Sequence, residues 1–241
     1  MGKLFSEEEL NRARAMSARE LQIFAHYWHL SAHEAQWPPK GDWNTWLLMG
    51  GRGSGKTRAG AEWVRALATR DDPVSPIALV SESMAEARAV MIEGVSGLLN
   101  IHPREDRPRF DKGRNMLFWP NGVTAALMPA SDPERFRGPQ FAAAWSDELG
   151  KWSHAEAAWD MLQFGLRLGD RPRQMVTTTP RATRLLRRIR EEKGTVMTRM
   201  PTGINAENLA PSFLSAIVAR YRETQLGRQE LDGEMIEDAA D

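Results

Sequence analysis

Gly50-Gly51-Arg52-Gly53-Ser54-Gly55-Lys56-Thr57 is the stretch on which the reading of the fold depends. It matches the phosphate-binding pattern Gly-x4-Gly-Lys-[Ser/Thr] at every fixed position. Before it, Trp46-Leu47-Leu48-Met49 is a short apolar run of the kind a buried strand shows; after it, Thr57 to Leu67 carries a helical pattern. Glycines let such a loop curl until successive N–H groups point at phosphate oxygens. The start of the following helix adds the positive end of its dipole. In this pattern Lys56 reaches the β- and γ-phosphates and Thr57 ligates magnesium. The competing explanation is a Gly-rich turn with a chance Lys-Thr, and the strand before and helix after argue against it.

At 241 residues the chain suits one large α/β domain, or a domain with a small appendage. Cysteine is absent, which removes disulfides, thiolate metal sites and a thiol nucleophile, and agrees with a reducing cytoplasm. No apolar stretch approaches membrane-spanning length, and the first residues have no secretory apolar core. The formal net charge is zero, so any contact with nucleic acid needs a local patch.

Upstream, Ser6 to about Ala35 reads as helical, with capping-box spacings at Ser6/Glu9 and Ser17/Glu20 and an apolar face of Leu21, Phe24, Ala25 and Trp28. His26, His29 and His33 share a face, but no carboxylate or cysteine completes a metal set, so they read as polar positions of a surface helix. Downstream, strands alternate with helices. Strands are expected at Ile77–Val80, Phe110, Met116–Trp119, Val123–Met128, Phe141–Trp145, Gln174–Thr179 and Val196–Thr198, with a hairpin turn at Asn121-Gly122. Helices are expected over 83–92, 153–168, 183–192 and from Pro211, where Phe213, Leu214, Ile217, Val218 and Tyr221 fall on one side. The alternation implies a mostly parallel sheet covered on both faces.

Hydrolysis of a nucleotide also needs a metal-anchoring carboxylate and a group that orients water. Asp147-Glu148 ends the apolar run from Phe141 and supplies both, Asp147 towards Mg²⁺ and Glu148 towards the attacking water. Two solvated acids opening a loop are the plainer reading, which the phosphate loop upstream makes less attractive. Thr177-Thr178-Thr179-Pro180 ends a later strand; on chemistry alone, β-propensity and a proline stop account for it. Arg52 lies within the loop, while Arg135 and Arg137 precede the carboxylate strand; each is either a phosphate contact or a surface arginine. Arg184, Arg187 and Arg188 form a helical stripe softened by Glu191 and Glu192, more often a solvated face than a DNA contact.

Together these pieces resemble the ATPase domain of large terminase subunits, the DNA-packaging motors of tailed phages and gene transfer agents, and are nearest the gene-transfer-agent branch. The likeness runs over about residues 20–238. It rests on Trp46–Trp63, Arg137-Gly138-Pro139-Gln140-Phe141, Trp145–Leu149, Thr177–Arg181 and Leu226–Glu234. The resemblance implies an α/β P-loop NTPase of the ASCE type, its mostly parallel central sheet flanked by helices, with an N-terminal helical extension. It implies a helical segment over 1–45, a core over 46–200 and a C-terminal helical segment over 201–241. It also implies ATP and Mg²⁺ as cofactors. Gly51, Arg52, Gly53, Ser54, Gly55, Lys56 and Thr57 hold the triphosphate, Thr57 and Asp147 the metal, and Glu148 is the catalytic carboxylate.

By the same resemblance Thr177, Thr178 and Thr179 couple hydrolysis to motion, Arg137 reaches a neighbouring subunit's nucleotide, and Gln36 contacts adenine. The implied partners are double-stranded DNA, the capsid portal, the small terminase subunit and further copies in a ring, with a monomer in isolation. The implied place is the cytoplasm of a bacterial host, with no membrane. Large terminases usually continue into an RNase H-like nuclease; the sequence stops near where that domain would start, so DNA cleavage is not expected of this chain. The alternatives are a helicase-type or other DNA-translocating ATPase, and a nucleotide-gated assembly module with little turnover alone.

Overall fold

The computed structural model describes residues 31–221 and 223–236, together with residues 15, 17, 27 and 28. The expected first helix, with His26 and His29, falls largely outside the described residues; at its end Glu34–Gln36 form a 3-10 turn.

Among the described residues eight strands form one sheet: β1 (Thr45–Gly50), β2 (Ile77–Ser81), β3 (Arg109–Asp111), β4 (Met116–Phe118), β5 (Thr124–Pro129), β6 (Ala143–Asp147), β7 (Arg173–Thr178) and β8 (Thr195–Met200). From residue 31 onwards, among the described residues, the α-helices are α1 (Lys56–Thr69), α2 (Met84–Glu86), α3 (Leu98–Ile101), α4 (Ala155–Gly165), α5 (Arg184–Glu191), α6 (Pro211–Tyr221) and α7 (Gln225–Glu230). The strand order is β3-β4-β5-β2-β6-β7-β1-β8. From β5 to β8 every neighbouring pair is parallel, and β3 and β4 add an antiparallel edge.

The central strands β1, β2 and β6 are buried along their whole length, which is why they read as unbroken apolar runs. Period-two alternation divides their side chains between two cores. Trp46, Leu48, Leu79, Trp145 and Met175 meet Trp63 and Val64 of α1 on one face. Leu47, Met49, Val80, Ala144 and Val176 meet Trp159 and Leu162 of α4 and Leu185, Leu186 and Ile189 of α5 on the other. Among the described residues no helix is long and apolar enough to cross a membrane.

Several boundaries differ from the sequence reading. The apolar run from Phe141 pairs as β6 only from Ala143, because the Phe141 N–H bonds to the Gly165 carbonyl at the end of α4. The expected helix over 83–92 is capped by Ser83 and continues as a π-helix over Ala87–Ile92. The π segment is only six residues long, too short for its wider turn to show in the apolar pattern. Helix α6 forms from Pro211 as expected, yet none of its residues is buried.

The register decides what meets at the sheet's carboxyl edge. Asp147 stands opposite Thr177, and Met49 opposite Thr178. The loop after β1, the acids ending β6 and the threonines ending β7 therefore emerge side by side, in the crevice where parallel α/β sheets bind ligands.

Candidate active site

The loop between β1 and α1 is held by its carbonyls. The Lys56 ammonium donates to the Gly51 carbonyl at 3.0 Å, the Thr202 hydroxyl to the Arg52 carbonyl at 2.8 Å, the Asn205 amide to the Gly53 carbonyl at 2.7 Å and the Gln36 amide to the Gly55 carbonyl at 3.2 Å. With the carbonyls engaged, the N–H groups of Gly55, Lys56 and Thr57 stand at the start of α1, where no earlier turn supplies an acceptor. A Cβ at Gly51 would collide with the Thr202 hydroxyl and the Leu231 carbonyl, so only glycine fits there.

Arg52, Gly53, Ser54, Gly55, Lys56 and Thr57 line a cavity of about 440 Å³ that Glu148 and Thr179 close from the opposite side. Lys56 Nζ lies 3.7 Å from Glu148 Oε1. Burial pulls the Lys56 ammonium below its ordinary pKa, against the pull of Glu148, Asp147 and Glu230. Anion binding would replace the hydration that burial has removed from this cation.

Glu148 takes left-handed backbone angles, φ 49° and ψ 42°, which few non-glycine residues adopt. Such strain collects at functional sites. Its carboxylate accepts the Thr179 N–H at 3.2 Å and the Thr179 hydroxyl at 3.3 Å, and Lys151 Nζ lies 3.8 Å away. Asp147 is buried behind it. The Thr177 hydroxyl donates to Asp147 Oδ1 at 2.5 Å and accepts the Trp145 indole N–H at 2.8 Å. Burial, opposed by that hydrogen bond and reinforced by Glu148, pushes the Asp147 carboxyl up to about 7. A cation beside it would reverse this balance. Thr178 turns away, its hydroxyl accepting the Gly150 N–H at 3.0 Å.

The remaining sequence candidates scatter. Gln36 is buried, its amide oxygen accepting the His33 N–H at 2.9 Å while its nitrogen buttresses Gly55. Arg52 bonds Glu230 Oε2 at 2.6 Å through Nε, and its N–H bonds the Glu230 carbonyl at 2.6 Å. Arg137 does not line the cavity. It is 65% exposed, pairs with Glu134 at 2.6 Å and stands near Gly165 at the far end of α4. Arg135 pairs with Asp132 at 3.1 Å. In the arginine stripe, Arg184 lies 3.8 Å from Glu156 and Arg188 lies 2.6 Å from Asp160, so acids of α4 neutralise two of its three charges.

Against this geometry stand the comparisons with known proteins. A family model described as terminase large subunit, T4likevirus-type, N-terminal, matches residues 47–241. The chain belongs to the large terminase subunit family. Its fold is the α/β P-loop NTPase fold, and solved terminases share it. The large terminase of a thermophilic bacteriophage in complex with ADP superposes with a TM-score of 0.65 at 16% identity, over 89% of this chain and 52% of that one. The same phage protein in complex with ATP-γ-S gives 0.61 at 13% identity, again over 89% and 52%. The large terminase ATPase domain of Thermus phage P74-26 gives 0.61 at 15% identity, over 91% of this chain and 98% of that domain. The chain thus spans about half the length of the ADP-bound terminase. No curated protein matches it.

Within this terminase fold, four contributors to the site were not picked out as site residues by the sequence reading: Lys151, Thr202, Asn205 and Glu230. Lys151 falls three residues past Glu148 on a 3-10 turn, a spacing that could have flagged it. The other three act from 150 to 178 residues away and leave no local signal.

Proposed function

We propose that this chain is the ATPase motor of a tailed-phage or gene-transfer-agent large terminase, coupling Mg-ATP hydrolysis to movement of double-stranded DNA into a capsid. The observation that carries this is Glu148 facing Lys56 across the loop cavity at 3.7 Å, held by the residue that ends the β7 threonines. A carboxylate there can orient water towards a phosphate bound on the loop, and a shift of that phosphate is felt at Thr179.

The N–H groups and Lys56 of the loop bind the triphosphate, with Gly51, Arg52, Gly53, Ser54, Gly55 and Thr57 shaping it. Thr57 and Asp147 would be the oxygen donors for Mg²⁺, a hard cation that prefers them; the Asp147 carboxyl is buried, with one oxygen accepting the Thr177 hydroxyl. Held there, the metal would neutralise charge on the bound phosphates. Glu148 accepts the proton of the attacking water and polarises it. Thr177 fixes Asp147, Thr179 fixes Glu148 and Thr178 fixes the turn at Gly150, so β7 holds both acids and the loop after them.

Gln36 keeps one amide hydrogen and one oxygen lone pair beyond its two bonds, the pair an adenine edge requires. Arg137, outside its own cavity, serves a neighbouring copy in a ring seated on the capsid portal, fed with DNA by the small subunit in the host cytoplasm. In this reading residues 46–200 are the ATPase core between two helical segments, 1–45 and 201–241.

Calorimetry of ATP-γ-S binding tests the first step. Tight, Mg²⁺-dependent binding that Lys56→Ala weakens at least tenfold is expected, with phosphate release from ATP accelerated by DNA in the assembled motor. Equal affinity in wild type and Lys56→Ala removes the reading.

A further inference from the structure

Among the described residues five cations line the loop cavity: Arg52, Lys56, Arg58, Lys151 and Arg181. Four are engaged by carboxylates. Arg52 lies 2.6 Å from Glu230, Lys56 lies 3.7 Å and Lys151 3.8 Å from Glu148, and Arg58 lies 2.8 Å from Glu62. Arg181 is exposed on the cavity wall and has no carboxylate within ion-pairing distance among the described residues. It is tied down through its backbone, the carbonyl accepting the Thr183 N–H at 2.8 Å.

The place of Arg181 in the chain matters as much as its freedom. Thr179, two residues earlier, is the residue that grips Glu148. Pro180 between them fixes one backbone angle. Thr183, two residues later, caps α5 by accepting the Leu186 N–H at 3.3 Å. The guanidinium thus hangs from a short span clamped at both ends, over the cavity shared by Lys56 and Thr57 of the same chain. A bound triphosphate brings more negative charge than Lys56 and one divalent cation neutralise. A cation with no carboxylate to surrender meets the excess at least cost, and a guanidinium can do so with two parallel hydrogen bonds.

We propose that Arg181 binds the terminal phosphate of the nucleotide held by its own subunit and thereby signals that phosphate to the β7–α5 span. This rests on the cavity being the nucleotide site. The test is calorimetry of the chain with ADP and with ATP-γ-S, for wild type, Arg181→Ala and Arg181→Glu. Because the third phosphate carries the contact, Arg181→Ala should weaken ATP-γ-S about 10- to 100-fold, as for a charge-assisted hydrogen bond, and leave ADP within about twofold. Arg181→Glu should weaken ATP-γ-S further still. ATP-γ-S affinity unchanged in Arg181→Ala or Arg181→Glu, or equal losses for the two nucleotides, overturns the assignment. A wild-type chain that binds neither nucleotide overturns the reading of the cavity itself, which separates the two failures.

Discussion

Thr179 holds Glu148 at both carboxylate oxygens, with its N–H on Oε2 at 3.2 Å and its hydroxyl on Oε1 at 3.3 Å. The orientation of the proposed catalytic carboxylate is therefore set by the chain leaving β7, while its position is set by β6. Rotating that carboxylate would break or drag both bonds to the residue after Thr178.

Glu148→Gln keeps the shape and both Thr179 contacts in part, and leaves Lys56 and the loop intact. Binding of ATP-γ-S should stay within a few-fold, while steady-state turnover falls on the order of 10²–10⁴-fold. Wild-type phosphate release by this variant would take the general base away from Glu148.

Asp147 carries a pH signature. Its pKa rises from the ordinary 3.8 to about 7 in the fold, so between those values the folded chain keeps a proton that the unfolded chain has lost. Stability from this group is present at low pH, declines as pH rises towards 7 and stays lost above it. Asp147→Asn is neutral throughout and still offers the Thr177 hydroxyl an acceptor. In nucleotide-free protein its melting temperature relative to wild type should increase from about pH 5 to about pH 8. An equal difference at both pH values would show that Asp147 is not the buried acid described.

In the proposed site Glu230 would compete with phosphate for Arg52, its partner in the nucleotide-free chain. The arginine side chain is 70% exposed and lies 2.6 Å from a carboxylate that is only 18% exposed. Glu230→Gln removes the competing charge with little change of shape. Exposed pairs are worth about 0–1 kcal/mol, so ATP-γ-S should bind up to about fivefold tighter. Weaker binding by calorimetry would mean that Glu230 supports the loop more than it opposes the ligand.

Arg137 should behave differently alone and assembled. Its pair with Glu134 is exposed on both sides, so Arg137→Ala should change melting temperature and nucleotide affinity of the isolated chain very little. In assembled rings it should lower turnover about 10³–10⁵-fold, as loss of an arginine finger does. Mixed rings of Arg137→Ala and Glu148→Gln should regain part of the activity, because some interfaces pair an intact Glu148 with an intact Arg137. Mixed rings that form yet stay inactive would refute the trans role.

Much of this site is written in contiguous sequence. The apolar run of β1, the glycines and Lys56-Thr57 after it, and the acids closing β6 each occupy a few adjacent positions, because a strand end and a loop are local structures. The β7 threonines are legible in the same way as a strand, but their hydrogen bonds to Asp147 and Glu148 depend on β6 and β7 being neighbours with Asp147 opposite Thr177. Register of that kind appears only once the sheet is assembled. Thr202, Asn205 and Glu230 were out of reach for another reason. Each bonds the backbone of the phosphate loop or a side chain within it, and such a bond makes no demand on sequence spacing. The shortened β6 likewise reflects packing of Phe141 on the end of α4, a tertiary choice that the apolar run alone does not encode.

The carbonyls of Arg52 and Gly53 are tied to Thr202 and Asn205, and the N–H and guanidinium of Arg52 to Glu230, so the loop is bolted to three residues between 202 and 230. A load applied to residues 202–231 is therefore delivered to the phosphate loop without crossing the sheet. Conversely, a loop that changes shape around its ligand tugs on that stretch directly. In the proposed motor, cargo tension and fuel occupancy would be read at the same few atoms, as on the two arms of a balance.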